Sequence, residues 1–431
     1  MPGIPFAKTI SGFKSTFRSL KYRNFRLYFY GQSISLIGTW IQRITIPWLV
    51  YQLTGSAFLL GVVGFAGQIP TFVIAPFAGV ITDRINRYRL LIVTQIAAMI
   101  QAFALAFLYL SGHIAVWHIV VLSVILGIIN AFDVPARQSF MIEMVEKKED
   151  LANAIALNSS MVNGARLLGP SIAGLLIALT GEGVCFLLNG VSYLFVIASL
   201  LMMTITPRVI NKKNKRVLKE MKDGFSYTFG YPPLKYIIVL LALVSLTAMP
   251  YTVVMPVFAK EVLHGGSHTF GFLMGASGLG ALLGALFLAS RKNVLGLDKI
   301  IPLAAGTFGL SLIAFSFSRY FLLSMGLMVF IGLGMMLQLA TSNTIIQTIV
   351  DDDKRGRVMS IYTMAFMGTA PFGSFLAGSL ASSLGAPNTL LIGGSVCILG
   401  AIVFSRKLPK LKEAIRPVYV KMGLITEGQQ Q

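Results

Sequence analysis

The sequence predicts an all-helical membrane protein, with twelve transmembrane helices in two six-helix bundles related by a pseudo-two-fold axis. Three observations predict it. Of the 431 residues 55% are hydrophobic and only 12% charged, which no soluble globular domain of this length would show. The apolar residues fall in runs long enough to cross a hydrocarbon core of about 30 Å as helices. The charged residues fall in the gaps, and 32 of the 36 Lys and Arg lie in gaps that alternate onto one side of the membrane. Both termini are therefore expected in the cytoplasm of a bacterial cell, with the protein in its inner membrane.

Taken in order, residues 1–24 place Phe6, Ile10, Phe13, Phe17 and Leu20 at helical spacing between Lys8, Lys14, Arg18 and Lys21, a basic amphipathic segment suited to a membrane surface. No short apolar core with a small-residue cleavage site follows, so targeting is expected from the first span itself. Spans are expected at 27–53, 57–81, 89–111, 115–133, 153–179 and 184–205, forming a first bundle over 25–206. The linker 207–234 is rich in Lys and Arg, and Leu218, Met221, Phe225 and Phe229 give it a second surface helix. Spans at 235–258, 269–290, 299–318, 321–344, 357–381 and 388–405 form a second bundle over 235–406, and 407–431 reads as a basic tail.

The halves repeat each other. After the fourth span comes ARQSFMIEMVEKKEDLANAI, and after the tenth SNTIIQTIVDDDKRGRVMSI: a Gln, an apolar stretch ending in Val, an acid-rich turn, then a new helix. GSAFLLG from Gly55 recurs approximately as GSHTFG. Duplicated bundles with a site between them are a transporter architecture.

Composition excludes other classes. The net charge of +20 does not imply nucleic acid, because the bases sit between apolar runs, where membrane orientation explains them. Cys185 and Cys397 lie in apolar stretches without metal-ligand spacing and read as buried apolar residues. No phosphate loop, zinc motif or assignable nucleophile set is present, so neither an enzyme nor a cofactor is expected. The expected partners are the lipid bilayer and a small-molecule substrate, the expected state a monomer, and a periplasmic or outer-membrane export partner is left open.

The stretch GVITDRINRYR, Gly79 to Arg89, must be a tight aqueous hairpin between the second and third spans. The positive-inside rule accounts for Arg84, Arg87 and Arg89 but not for Asp83, since a carboxylate at a membrane boundary needs a partner. Gly79 permits close helix approach, and Asn86 can adopt the left-handed conformation of a sharp reversal. Gly79, Asp83, Arg84 and Arg87 resemble the loop motif of major facilitator superfamily transporters, although Asn86 stands where the family usually has Gly and Tyr88 where it often has a base. NFRLYFYGQSISLIGTWIQ, NAFDVPARQSFMIEMV, NSSMVNGARLLGPSIAGLL and RGRVMSIYTMAF resemble the exporters related to enterobactin exporters and macrolide efflux pumps. The resemblance implies that Asp83 gates the cytoplasmic side by packing near Arg357 at the start of the eleventh helix. It also implies that Gly164, Gly169, Pro170 and Gly174 form the antiporter motif of the fifth span. Physically, those small residues allow close packing and Pro170 removes a backbone bond.

Polar residues inside spans are costly and so are functional candidates. Gln32, Ser35, Thr39, Gln42 and Arg43 recur at spacings of three or four, a stripe expected to face water or cargo. Gln338, Ser342 and Gln347 in the tenth span, and Ser123, Asn130 and Asp133 in the fourth, extend the set; the resemblance places both helices at the cavity. For each amide, hydrogen bonding between helices is expected at least as much as a substrate contact. No acid lies mid-span, which leaves Asp133 as the candidate for proton coupling, against a plain pairing with Arg137. Arg43 and Arg166 lie within spans, and an arginine there must find a distant acid such as Glu261 or Glu182, helix-end carbonyls, water, or an anionic cargo. The leading expectation is a proton-coupled exporter of a small amphipathic or anionic molecule, siderophore-like or drug-like. A lysolipid flippase of the same fold and a non-transporting sensor or scaffold are the alternatives.

Overall fold

The computed structural model describes residues 17–82, 85–205, 217–291, 293–423 and 425. The expected amphipathic residues Phe6, Ile10 and Phe13, and the loop residues Asp83 and Arg84, lie outside that set. Among the described residues there are helices and turns but no strands.

Six long helices form the first half: α1 (Arg23–Thr54), α2 (Ala57–Thr82), α3 (Arg87–Leu110), α4 (Val116–Phe140), α5 (Lys148–Thr180) and α6 (Glu182–Leu201). The linker helix α7 (Val217–Gly230) leads into the second half. Its first span is broken into α8 (Pro232–Thr247) and α9 (Tyr251–Val257), continued by a π-helical turn at Phe258–Val262. Then come α10 (Ser267–Ala289), α11 (Leu297–Phe317) and α12 (Phe321–Ile349). The next span is α13 (Asp352–Thr363), a π turn at Met364–Gly368, and α14 (Ala370–Leu384); α15 (Ala386–Lys421) completes the set. Eleven of these twelve segments are long and apolar enough to cross a membrane by composition alone. The other, α1, has the length, 32 residues, but its polar stripe dilutes it.

The same packing recurs in each half: α2 on α4, α3 on α6 and α1 on α6 are matched by α10 on α12, α11 on α15 and α8 on α15. Between the halves α5 packs on α10 and α2 on α14, the exchange a two-fold axis requires. The backbone repeats too, for Gly181 before α6 and Gly385 before α15 share φ values of 82° and 83°. Only glycine adopts that conformation without strain, and in both halves it turns the fifth span into the sixth.

Several boundaries differ from expectation for identifiable reasons. Asn86 is extended, with φ −67°, and caps α3 by accepting a hydrogen bond from the Arg89 N–H at 3.1 Å, so it does not take the left-handed turn expected of it. Helix α4 runs seven residues past Asp133 to Phe140 with Pro135 inside it, which puts Arg137 on the helix rather than in a loop. Helix α15 continues through the basic stretch to Lys421, because Leu411, Ile415 and Tyr419 bury a stripe against the second half and Lys412 reaches Asp298 at 3.7 Å.

Call the end holding Gly55, Gly181, His264 and Gly385 the loop end and the opposite end the terminal end. At the terminal end a 3-10 turn, Arg18–Lys21, is bound to the start of α5. Arg18 and Lys21 pair with Asp150, Tyr22 donates to the same carboxylate at 2.7 Å, and Asn153 accepts from the Ser19 N–H. The Asp150 carboxylate holds the Lys21 ammonium above its ordinary pKa. The linker helix does the equivalent in the second half, laying Gly224 on Arg357 and Tyr227 under Lys354 of α13. Phe225 and Phe229, stacked at 5.9 Å, stay exposed on its other face.

Candidate functional site

The halves meet along two seams of small residues. A side-chain carbon added at Gly174 of α5 would lie 2.8 Å from the Gly271 Cα of α10, and one at Gly61 of α2 would lie 2.9 Å from the Gly378 Cα of α14. Such crossings exist because glycine lets backbones touch, the usual device for helices packing in lipid. Phe58, Phe65 and Phe72 of α2 interleave edge-to-face with Phe372 and Phe375 of α14 beside the second seam. Gln68 donates to the Ser374 hydroxyl across it at 3.0 Å.

The seams close the loop end. There Trp48 of α1 stacks on Phe270 of α10 with ring centroids 6.1 Å apart, and the Tyr51 hydroxyl donates to Glu261. Toward the terminal end Gly164 of α5 and Gly356 of α13 have open space where a side chain would begin. At Gly164 and Gly356 no other element comes within 4 Å of an added carbon, whereas at Gly174 and Gly61 the facing backbone does.

Arg43 is accessible, and the cleft it faces is the space that α1 shares with α4, α5 and α6. Its guanidinium lies over the Trp40 ring at 5.1 Å, and Tyr193, Arg137 and Arg166 are within electrostatic reach. Arg166 of α5 crosses to the other half, where its Nη2 meets the Met335 sulfur at 3.6 Å near Tyr251. The two distant acids that could have neutralised Arg43 are engaged elsewhere: Glu261 with Tyr51, and Glu182 with Tyr109 at 2.6 Å. Among the described residues no carboxylate lies within ion-pair distance of Arg43 or Arg166. Asp133 does pair, with Arg137 one turn along α4, and also accepts from Thr94 Oγ1 at 2.9 Å and Gln95 Nε2 at 2.6 Å. The set is therefore three arginines against one acid.

The expected stripe on α1 divides into two faces. Gln32, Ser35 and Gln42 are buried against protein and not open to water in this structure. Gln42 accepts from Asn189 Nδ2 of α6 at 2.8 Å and donates to Gln101 Oε1 of α3 at 3.1 Å. The cause is angular, for Gln42 and Arg43 are neighbours and so point about 100° apart on a helix. Thr39, beside the Tyr193 hydroxyl, stays with Arg43 on the accessible side. Asn130 is half-buried on α4. Gln338 and Ser342 of α12 are wholly buried inside the second half, and with Thr341 they leave four polar side-chain atoms without a protein partner.

Within the fifth span, Gly169 receives Trp40, whose Cβ would be 2.4 Å from an added carbon, while the Pro170 carbonyl and Gly174 receive Gly271. Gly164 touches nothing. Gly79 lies in the last turn of α2. Arg87 pairs with Glu143 at 2.9 Å within the first half, and Arg357 is exposed beside Gly224. Sequence reasoning missed Trp40, Gln101, Asn189, Tyr193 and Tyr251, whose contacts join distant segments; only the apolar setting of Asn189 and Gln101 signalled them.

A family model described as transmembrane secretion effector matches residues 14–422. The chain is 27% identical over 389 residues to the staphyloferrin A transporter of Staphylococcus aureus, covering 89% of this chain and 97% of that protein. It is 26% identical over 402 residues to the multidrug efflux pump Tap of Mycolicibacterium fortuitum, covering 88% and 95%. It is 23% identical over 401 residues to macrolide efflux protein A of Streptococcus pyogenes, covering 89% and 96%. Among solved structures, the nucleoside transporter NupG superposes with a TM-score of 0.70 at 13% identity, covering 90% of this chain and 99% of that one. A bacterial homologue of the human lysosomal transporter Spinster, in an inward-facing and unoccupied conformation, gives 0.66 at 14% identity, covering 93% and 98%. Identities this low show the fold alone. With a family model matching nearly end to end, this multi-pass membrane protein belongs to the transmembrane secretion effectors of the major facilitator superfamily.

Proposed function

We propose that the chain exports a small organic anion from the bacterial cytoplasm by alternating access, with Arg43 and Arg166 as the groups that recognise its charge. The observation that carries this reading is Arg43, accessible within a span, with both candidate acids bound to tyrosines instead. An arginine keeps its proton even in such a site, so water must solvate it when the cleft is empty and an anion can replace that water. The staphyloferrin A transporter among the relatives agrees with a siderophore-like cargo.

The base distribution favours a cytoplasmic terminal end, the side from which an exporter loads. In this reading Asp133 is the coupling carboxylate, since proton binding there would release Arg137, and Gly79, Asp83, Arg84, Arg87 and Arg357 gate the cytoplasmic side. The two domains are the bundles 25–206 and 235–406, joined by the linker 207–234, and they rock about the glycine seams. The protein works as a monomer in the inner membrane.

The test compares secreted metabolites of cells carrying the wild-type gene, no gene, and Arg43→Gln. An anionic metabolite lost from the medium in both altered strains, with Arg43→Gln folded and inserted, is the expected result. Undiminished secretion by Arg43→Gln would overturn the anion reading.

A further inference from the structure

The contact of Arg43 with Trp40 has a second layer that the anion reading does not use. Trp40 precedes Arg43 by three residues on α1, so its ring lies on the neighbouring turn, under the guanidinium at 5.1 Å. The tryptophan is itself held from behind. Its Cα and Cβ rest on Gly169 of α5, where a single added carbon would lie 2.4 Å from the Trp40 Cβ and 3.2 Å from its Cγ. Those atoms belong to the stiff base of the side chain and cannot swing away, so any side chain at 169 must push α1 off α5. Trp40 is only half-buried, and the Arg43 guanidinium stands over one face of its ring.

We propose that Trp40 is a positioning and specificity-determining residue of the cargo site, seated by Gly169, that orients Arg43 and offers an apolar surface next to its charge. The site then selects organic anions whose charged group adjoins a flat apolar portion over anions that are hydrophilic throughout. This inference rests on the reading of Arg43 as the anion-recognising group. Two independent features point the same way: a cation held over a ring fixes the direction of its free N–H groups, and the only residue that tolerates that ring's position on α5 is a glycine. The glycine of the motif thereby acquires a role in recognition, separate from the Gly174 crossing further along the helix.

The experiment uses the full chain in lipid nanodiscs, with 2-naphthoate as the flat anion and citrate as the hydrophilic one. Trp48→Phe and Trp117→Phe leave Trp40 as the single tryptophan of the three in the chain, so its emission reports the site directly. Saturable quenching of Trp40 by 2-naphthoate is expected, and citrate should bind more weakly. By calorimetry on the chain with all three tryptophans, Trp40→Leu should weaken 2-naphthoate binding about tenfold and Trp40→Phe about threefold, in line with a cation–ring contact and its partial rescue. Gly169→Ala should weaken it comparably and shift Trp40 emission in the single-tryptophan chain, even at low temperature where the variant is folded. If Arg43→Gln binds 2-naphthoate as the wild type does, the underlying anion reading fails. If Arg43→Gln abolishes binding while Trp40→Leu and Gly169→Ala bind normally, the anion reading stands and the role of Trp40 is overturned. A Gly169→Ala protein with lowered thermal stability, unchanged affinity and unchanged Trp40 emission would show that the glycine serves packing only.

Discussion

Tyr51 of α1 donates its hydroxyl hydrogen to Glu261, 210 residues away, across the boundary between the two halves. Lys260 lies over the same ring at 5.5 Å, so one phenol bridges both charges of the π turn that ends the seventh span. In the alternating-access reading the contact is lost when the loop end opens, and a contact present in one of two states biases their populations. Tyr51→Phe should therefore move the equilibrium toward the form open at the loop end. A hydrogen bond to a charged group contributes about 1.5–3 kcal/mol when shielded, but Glu261 faces water, so a shift of about threefold to tenfold in populations is expected. Spin labels at Leu53 and His268 read it as a longer component in the distance distribution; an unchanged distribution would show that Tyr51 is no latch.

The motif of the fifth span should respond unequally to the same small change. Gly174→Ala places a carbon 2.6 Å from the Ser267 carbonyl and 2.8 Å from the Gly271 Cα, and overpacking of this kind costs about 1–3 kcal/mol. Gly164→Ala meets nothing within 4 Å and removes a flexible residue from a helix interior, a gain of about 0.5–1 kcal/mol. Thermal melts in detergent should show Gly174→Ala below the wild type and Gly164→Ala at or above it. Equal melting points would mean that the α5–α10 seam is not tightly packed in solution.

Gln42 joins three helices through one amide. Gln42→Leu leaves the Asn189 amine without its acceptor and Gln101 without its donor, at a cost of about 1–3 kcal/mol for each stranded buried group. The expected outcome is lower folded yield with unaltered export per folded molecule. Loss of export at normal yield would return Gln42 to the cargo-contacting set.

Asp133 carries an ion pair and two neutral hydrogen bonds, so its removal strands a guanidinium. Asp133→Asn should destabilise the first half by about 3 kcal/mol, and adding Arg137→Gln should restore part of that. If Asp133 also couples transport to protons, the double variant will export with no dependence on an imposed pH gradient. Full gradient dependence in a stable double variant would locate coupling elsewhere.

Orientation has a direct check. Ser226 on α7 and Glu413 on α15 are exposed, and Cys185 and Cys397 are buried, so cysteines introduced at 226 and 413 dominate thiol labelling. An impermeant maleimide should label neither position in intact cells and both in everted vesicles. Labelling from outside would invert the topology.

Much of this architecture was legible because lipid imposes a one-dimensional code: spans must be apolar and their ends basic. That code located the spans, the repeat and the linker helix without any tertiary information. It did not foresee α15 running on to Lys421, since the apolar stripe of Leu411, Ile415 and Tyr419 is interleaved with bases and reads as a solvated tail. The site was legible by residue type and illegible by direction. Periodicity singled out Gln42 and Arg43 together, yet adjacent positions on a helix face different neighbours, and one became a brace while the other reached the cleft. Tyr51–Glu261 left no trace in the sequence, because neither residue is unusual where it stands and their pairing depends on how two halves dock.

The two glycine seams have a mechanical consequence. Where long side chains interlock, sliding one helix past another means unpicking rotamers one by one, and the surface behaves like a ratchet. Gly174 on Gly271 presents backbone to backbone, with little to unpick, whereas Gly61 on Gly378 is flanked by interleaved phenylalanines. In the alternating-access reading a joint of the first kind turns with low friction, and the rate of turnover is set by the few latches that must break and by whatever occupies the cleft. A molecule that wedges into either seam would stall the cycle without ever touching Arg43, a mode of inhibition indifferent to the chemistry of the cargo.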